Sequence, residues 1–109
     1  MSIGPDGTGV VNGYHIGPGA NLTGADLTDV DLTGADLSDA DLSGAVFENV
    51  TLKNVNFSGA DLRGFRVIGS SLSDVDFGAS DLSGAFFDNV SFINNISFND
   101  ANLLAAYLD

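Results

Sequence analysis

Between Ala20 and Asn94 the chain divides without a gap into fifteen groups of five residues, and this odd period constrains the fold more than any other feature. The groups run Ala20-Asn21-Leu22-Thr23-Gly24, Ala25-Asp26-Leu27-Thr28-Asp29, Val30-Asp31-Leu32-Thr33-Gly34 and onward, and the central residue is Leu or Phe with Val67 the one exception. Two places before the centre stands a small or medium residue, usually Ala or Val. Asp or Asn commonly precedes the centre, and Ser or Thr followed by Gly, Asp or Asn comes after it. In an α-helix, residues five apart are rotated by about 140°, which would scatter the central residues around the cylinder instead of along one stripe. In an uninterrupted strand the odd period would flip the apolar face at every repeat. The chain must therefore turn once per group, and the Ser/Thr and Gly/Asn/Asp pairs supply turn chemistry at that place. Each group is one short strand and one corner.

A second period gives the number of corners per coil. Ala40-Asp41-Leu42-Ser43-Gly44, Ala60-Asp61-Leu62-Arg63-Gly64 and Ser80-Asp81-Leu82-Ser83-Gly84 recur every 20 residues, so four groups close one coil. One extra residue near Asn94 and Asn95 breaks the register, after which Ile96-Ser97-Phe98, Ala101-Asn102-Leu103 and Ala106-Tyr107-Leu108 resume it, for eighteen units in all. The expected core is the set of central residues Leu22, Leu27, Leu32, Leu37, Leu42, Phe47, Leu52, Phe57, Leu62, Val67, Leu72, Phe77, Leu82, Phe87, Phe92 and Phe98. On this folding Gly24, Gly44, Gly64 and Gly84 share one corner column, and Phe57, Phe77 and Phe98 stack. Eighteen units at four per coil make about 4.5 coils, a shaft about 22 Å long at about 4.8 Å per coil. Residues 1–19, with six Gly and both Pro, read as an irregular N-terminal cap, and residues 20–109 as a single all-β unit with its own C-terminal cap. The spacing of Leu103, Leu104, Tyr107 and Leu108 in that last segment fits either a final coil or a helix.

The tandem A-D-L-x-x pattern across residues 20–108 resembles the pentapeptide-repeat family. That resemblance implies a right-handed quadrilateral β-helix, with the centre and the residue two before it pointing inward. It also implies that the C-terminal end is a place where such chains pair. Two departures stand out. Phe65-Arg66-Val67-Ile68-Gly69 puts a bulky residue in a small slot, and the slip at Asn95 breaks the count, so the coil is expected to distort at both.

Chemistry is sparse. His15 is the single His and sits in the Gly-rich segment with no nucleophile or second ligand near it in sequence, so it reads as a cap residue. The absence of Cys removes thiol catalysis, disulfides and Cys-type zinc sites. Asp29-x-Asp31-x-Thr33-Gly34 and Asp39-x-Asp41-x-Ser43-Gly44 copy the opening of a calcium loop. Position twelve, however, falls on Ala40 and Val50, where a bidentate Glu is needed. Five Asn-x-Ser/Thr sequons are a by-product of the repeat alphabet. The reading is a non-enzymatic chain with no cofactor, no metal and no small-molecule substrate.

What remains are surfaces. The formal net charge is −12, from 15 acidic and 3 basic residues, in a chain whose 44% apolar content is too high for a disordered acidic tail. Asp41, Asp61 and Asp81, continued by Asn21 and Asn102, form an acidic stripe that would suit a basic partner. On the adjacent face the same outward slot runs Asp26, Val46, Arg66, Phe86. Ile68 lies one step away, a composition resembling an interface anchor. Leu104 and Tyr107 offer a rival surface at the C-terminal end. The leading functional expectation is a structural or protein-interaction module with an unidentified protein partner, a homodimer being among the assemblies considered. The alternative, implied by the family, is a DNA-mimicking inhibitor or protector of a type II topoisomerase. Twelve net charges on about 22 Å is one per about 1.8 Å, against one per about 1.7 Å in duplex DNA. Three dispersed basic residues argue against direct nucleic-acid binding. No membrane-length apolar run is present and residues 1–9 lack a signal-like start, which leaves a soluble chain, cytoplasmic by default, as the expectation, while the family resemblance implies a bacterial source.

Overall fold

The computed structural model describes residues 3–109. Met1 and Ser2, the start of the segment read as a cap, lie outside the described residues. An antiparallel hairpin, β1 (Gly9–Val11) and β2 (Tyr14–Ile16), precedes a right-handed β-solenoid of about four turns. One solenoid face is a parallel sheet of β3 (Asp26–Thr28), β4 (Val46–Glu48), β6 (Arg66–Ile68), β8 (Phe86–Asp88) and β10 (Tyr107–Leu108). A second is β5 (Thr51–Asn56), β7 (Ser71–Asp76) and β9 (Ser91–Ser97), whose three strands bend around a corner. A further face is a column of single bridges joining Asn21, Asp41, Asp61, Asp81 and Asn102. Residues 101–109 complete the last coil with β10, so the strand alternative holds over the helix there.

The corners are where sequence chemistry becomes geometry. Ala25 N donates to Leu22 O at 3.0 Å while Gly24 takes a φ of 66°, the type II turn arrangement in which the third residue must be left-handed. The same bond recurs at 42/45, 62/65 and 82/85 with Gly44, Gly64 and Gly84. Asp29, Asn49, Asn54 and Asp74 take φ of 54–60° at other corners, positions that Asn and Asp tolerate better than most residues. Ala79 (54°) and Ala105 (59°) hold the same conformation with a Cβ and no side-chain compensation.

Between corners, each coil bonds to the next through a regular exchange. Leu22, Leu42, Leu62 and Leu82 amides donate to Asp41, Asp61, Asp81 and Asn102 carbonyls at 2.7–2.8 Å, and Asp41, Asp61 and Asp81 amides return bonds to Ala20, Ala40 and Ala60. Inward, Leu22 to Phe87 of the expected core are all buried. Phe57, Phe77 and Phe98 stack in a file with ring planes 2° and 5° apart and centroids 5.2 and 5.1 Å apart.

Two expectations are corrected. No distortion follows Phe65. It is fully buried in a column otherwise made of Ala25, Ala45, Ala85 and Ala106, yet Arg66 keeps register with Val46 and Phe86. The room comes from Val67, which stands between Phe47 and Phe87 where a Phe or Leu would be the rule. Phe65 swings into that space and meets Phe47 edge-on at 4.8 Å. The slip is absorbed at Ile93, not at Asn95. Leu72 pairs with Phe92 and Ser73 with Asn94, leaving Ile93 as a β-bulge in the outermost strand, and coil geometry resumes after it.

If Val67 is what accommodates Phe65, the two are energetically coupled. Phe65→Ala is expected to cost about 3–5 kcal/mol and Val67→Phe about 1–3 kcal/mol, while the double substitution costs less than the sum by at least about 1 kcal/mol in denaturant melts. Ala79→Gly is expected to stabilise the chain by about 0.5–1 kcal/mol, because it relieves a left-handed Ala at an exposed corner. A lower melting temperature would contradict that reading.

Candidate interaction surfaces

The acidic stripe is built by the outward residue before each centre. Its carboxylates are occupied locally. Asp41 Oδ1 accepts from Ser43 N at 3.0 Å and Ser43 Oγ at 2.8 Å, and Asp81 accepts from Ser83 N at 3.0 Å. Asp61 is clamped by Arg63, whose Nε and Nη2 atoms donate at 2.8 and 2.6 Å in a fork-to-carboxylate pair. The Ser43 amide, then its hydroxyl, holds Asp41 below the usual carboxylate range against the repulsion of Asp61. The Arg63 hydrogen bonds do the same for Asp61. Arg63 also lies in the field of Asp41 and Asp81, and its own pKa is raised, chiefly by Asp61. The stripe is thus three carboxylates spaced by the coil repeat around one guanidinium, with Asn at both ends. The turn bonds answer how like charges tolerate such spacing: each carboxylate is a corner acceptor first and a surface charge second.

The Val46 patch is also a real column. Asp26, Val46, Arg66, Phe86 and Tyr107 follow one another across β3, β4, β6, β8 and β10. Arg66 Cζ lies 5.0 Å from the Phe86 ring centroid, and Phe86 stacks on Tyr107 at 5.0 Å and 15°. Phe86 is half-buried by these contacts, and Val46 beside Arg66 is half-buried too, both less exposed than their outward slot alone implies. Ile68, also half-buried, sits in the neighbouring column between Glu48 and Asp88. Among the described residues Arg66 has no carboxylate partner, the single ion pair being Arg63–Asp61. His15 lies exposed on the hairpin opposite Val10.

The two ends of the shaft differ. Val11 and Ile16 of the hairpin are buried against the first coil, whose Leu22, Leu27, Leu32 and Leu37 have at most 1% exposure. At the other end Phe92, placed in the core by its repeat position, is 39% exposed, and Leu103 and Leu108 are 38% and 42% exposed. Phe98 is only partly buried. The reason is positional: these side chains point inward like their predecessors, but no coil stacks above them. Among the described residues, six of the seven exposed large apolar side chains fall in residues 92–108, which makes this end their main apolar surface. Sequence reasoning named Leu104 and Tyr107 there and missed Phe92, Ile93, Leu103 and Leu108, because repeat position signals direction and not cover.

The sequence profile of pentapeptide repeats matches eight copies over residues 18–44, 31–66 and 70–109. The chain belongs to the pentapeptide-repeat family. Solved structures with the same fold include a trypsin-treated variant of QnrB1, a plasmid-mediated fluoroquinolone resistance protein. It is 26% identical with a TM-score of 0.74, over 81% of this chain and 46% of that one. A pentapeptide-repeat protein of the Arabidopsis thaliana thylakoid lumen is 23% identical with a TM-score of 0.53, over 78% of this chain and 66% of that one. This pentapeptide-repeat chain therefore spans about half the length of the QnrB1 structure it matches. Among curated proteins, none matches it by sequence.

The lowered acids give a signed pH dependence. A carboxylate whose folded pKa lies below its ordinary 3.8 stabilises the fold fully above that value and loses its contribution as pH falls through the folded value. Melting temperature is expected to stay flat from neutral pH to about 5 and to fall in the acid range below it. In Asp41→Asn, which keeps the turn acceptor as Asn21 and Asn102 do, the fall should be shallower. An unchanged acid profile in that variant would remove Asp41 from the account.

Proposed function

We propose that the chain is a non-enzymatic protein-interaction module whose C-terminal face seats a second copy of itself. The observation that carries this reading is the apolar surface of residues 92–108, where Phe92, Leu103 and Leu108 are 39%, 38% and 42% exposed. A cross-section of 25 by 24 Å presents about 500 Å² per copy, so two such faces would bury about 1,000 Å², the lower bound for a specific interface. The bulge at Ile93 interrupts the outer edge of β9, which disfavours strand-to-strand extension there and leaves side-chain packing as the mode of contact. The side column of Val46, Arg66 and Phe86, with Ile68 in the column beside it, is then free for a different protein partner. Arg66 is its one unpaired cation, and Asp41, Asp61 and Asp81 are available to a basic one.

A second reading, occupation of the DNA-binding surface of a type II topoisomerase, is favoured by the likeness to QnrB1 and by the net charge of −12. It is tested in a gyrase supercoiling assay with and without a fluoroquinolone. Inhibition or protection at micromolar protein supports it, and no effect at tens of micromolar rejects it.

Sedimentation equilibrium tests the leading reading. A dimer that persists in high salt is expected, since apolar contact is not screened, and Leu103→Asp with Leu108→Asp should give a folded monomer. Phe86→Asp with Ile68→Asp should leave that dimer intact. A wild-type monomer at 100 μM, or a dimer lost through the Phe86 and Ile68 pair instead, would reject the C-terminal face.

A further inference from the structure

The cover over the first coil hangs on one tight turn. Val11 and Ile16 of the hairpin are 4% and 2% exposed against the core, and Val11 pairs with Tyr14 across a loop made only of Asn12 and Gly13. Asn12 and Gly13 take φ of 51° and 80°, the type I′ turn that Asn-Gly favours because both central residues must be left-handed. Both are exposed.

Asn followed by Gly is also the pair at which a chain most readily attacks itself. The backbone nitrogen of the second residue adds to the side-chain Cγ of the first, ammonia leaves, and a cyclic succinimide closes. Water then opens the ring at either carbonyl, giving aspartate or isoaspartate. Water enters and ammonia departs, with no oxidant or reductant, and Asn is among the thermolabile residues for this reason. A side chain on the second residue crowds the attacking nitrogen, and each of the other nine Asn is followed by a residue that has one. Several of those nitrogens are engaged as well: Leu22 N donates to Asp41 O and Phe57 N to Asp76 O, both at 2.7 Å, and Val50 N donates to Ser70 Oγ at 2.9 Å. Gly13 differs on each count. Apart from its chain neighbours, no atom lies within 4 Å of where its Cβ would stand, and among the described residues its amide donates to no backbone carbonyl. The related pair Asp6-Gly7 is guarded. The Gly7 amide donates to Gly4 O at 3.0 Å, while the Thr8 amide and hydroxyl donate to Asp6 Oδ1 at 3.0 and 2.8 Å and hold it as a carboxylate, which resists attack.

We propose that Asn12 is a self-modification site, deamidating through the Gly13 nitrogen to isoaspartate, and that the change opens the hairpin over the first coil. Isoaspartate carries the chain through its side-chain carboxyl, which adds a methylene to the backbone inside the turn. A loop lengthened there no longer sets Val11 opposite Tyr14, and the new carboxylate adds to a net charge already at −12. The effect stays local, because the bonds between coils involve none of residues 9–16. Ring closure needs a rotation about ψ of Asn12 that the turn opposes, so local opening of the hairpin gates the reaction. None of this depends on the self-pairing proposed above.

The test incubates the full chain for weeks at mildly alkaline pH and 37 °C, a standard accelerated condition at about the ordinary working temperature. Intact mass and peptide mapping by mass spectrometry are expected to show the amide-to-acid mass gain at Asn12, with isoaspartate exceeding aspartate. Val11→Ala with Ile16→Ala, which loosens the hairpin, should convert several-fold faster. Asn12→Gly keeps a pair suited to the type I′ turn and should abolish the gain. The isoaspartate form, separated by anion exchange, should show several-fold faster hydrogen exchange at the Val11 and Tyr14 amides, with the Leu42 and Leu62 amides unchanged. Conversion at another Asn ahead of Asn12, or a gain that persists in Asn12→Gly at the wild-type rate, overturns the site. So does a folded chain that stays unmodified while the same chain in urea converts, since the turn would then protect Asn12. An isoaspartate form with unchanged exchange at Val11 and Tyr14 overturns the opening of the hairpin.

Discussion

The backbone exchange between coils is the interaction on which the rest of this molecule depends. Each coil donates amides to the coil above and to the coil below and accepts from both, so the chain is held by bonds between residues one coil apart. That exchange requires every coil to present the same backbone path. The outward and inward side chains must then fall into columns, whatever their identity. Corners impose the matching local constraint: a left-handed residue at a fixed place, supplied by Gly, Asn or Asp at most turns and by Ala at 79 and 105.

Once columns are fixed, packing becomes a problem of filling each layer. The pair of Phe65 and Val67 shows how much freedom that leaves: a residue much larger than the Ala usual in its slot is accommodated because its neighbour two places on is small. The coil path does not move. Ile93 shows the opposite case, a change in backbone length instead of side-chain volume, and there the chain bulges because the exchange cannot tolerate an extra residue in line. Bulging in the outermost strand disturbs only the junction below it.

Charge follows the same logic. A column of three carboxylates at coil spacing would be unfavourable if each were merely solvated, yet each accepts bonds from the residue two places on, and one is clamped by Arg63. The acidic character of the surface is therefore tied to corner construction. On the neighbouring face the columns hold aromatic and cationic side chains that stack on one another, so Arg66, Phe86 and Tyr107 form a ladder through the same spacing that aligns the acids.

The sequence by itself determined the repeat, the four corners, the inward positions from Leu22 to Phe87 and the membership of the outward columns, because a period of five leaves the backbone one way to keep apolar residues on one side. It could not show the size exchange between Phe65 and Val67, since volume matters only once two residues are known to share a layer. It placed the extra residue one or two positions from the true bulge, because Asn94 and Asn95 resemble corner residues and Ile93 does not. What only the tertiary structure decided is which end is covered. Phe92, Leu103 and Leu108 carry the same repeat signal as Leu22 and Leu27, but a hairpin packs over one set while the other is left partly exposed. Burial is a property of what stacks above a layer, and a nearest-neighbour pattern does not contain it.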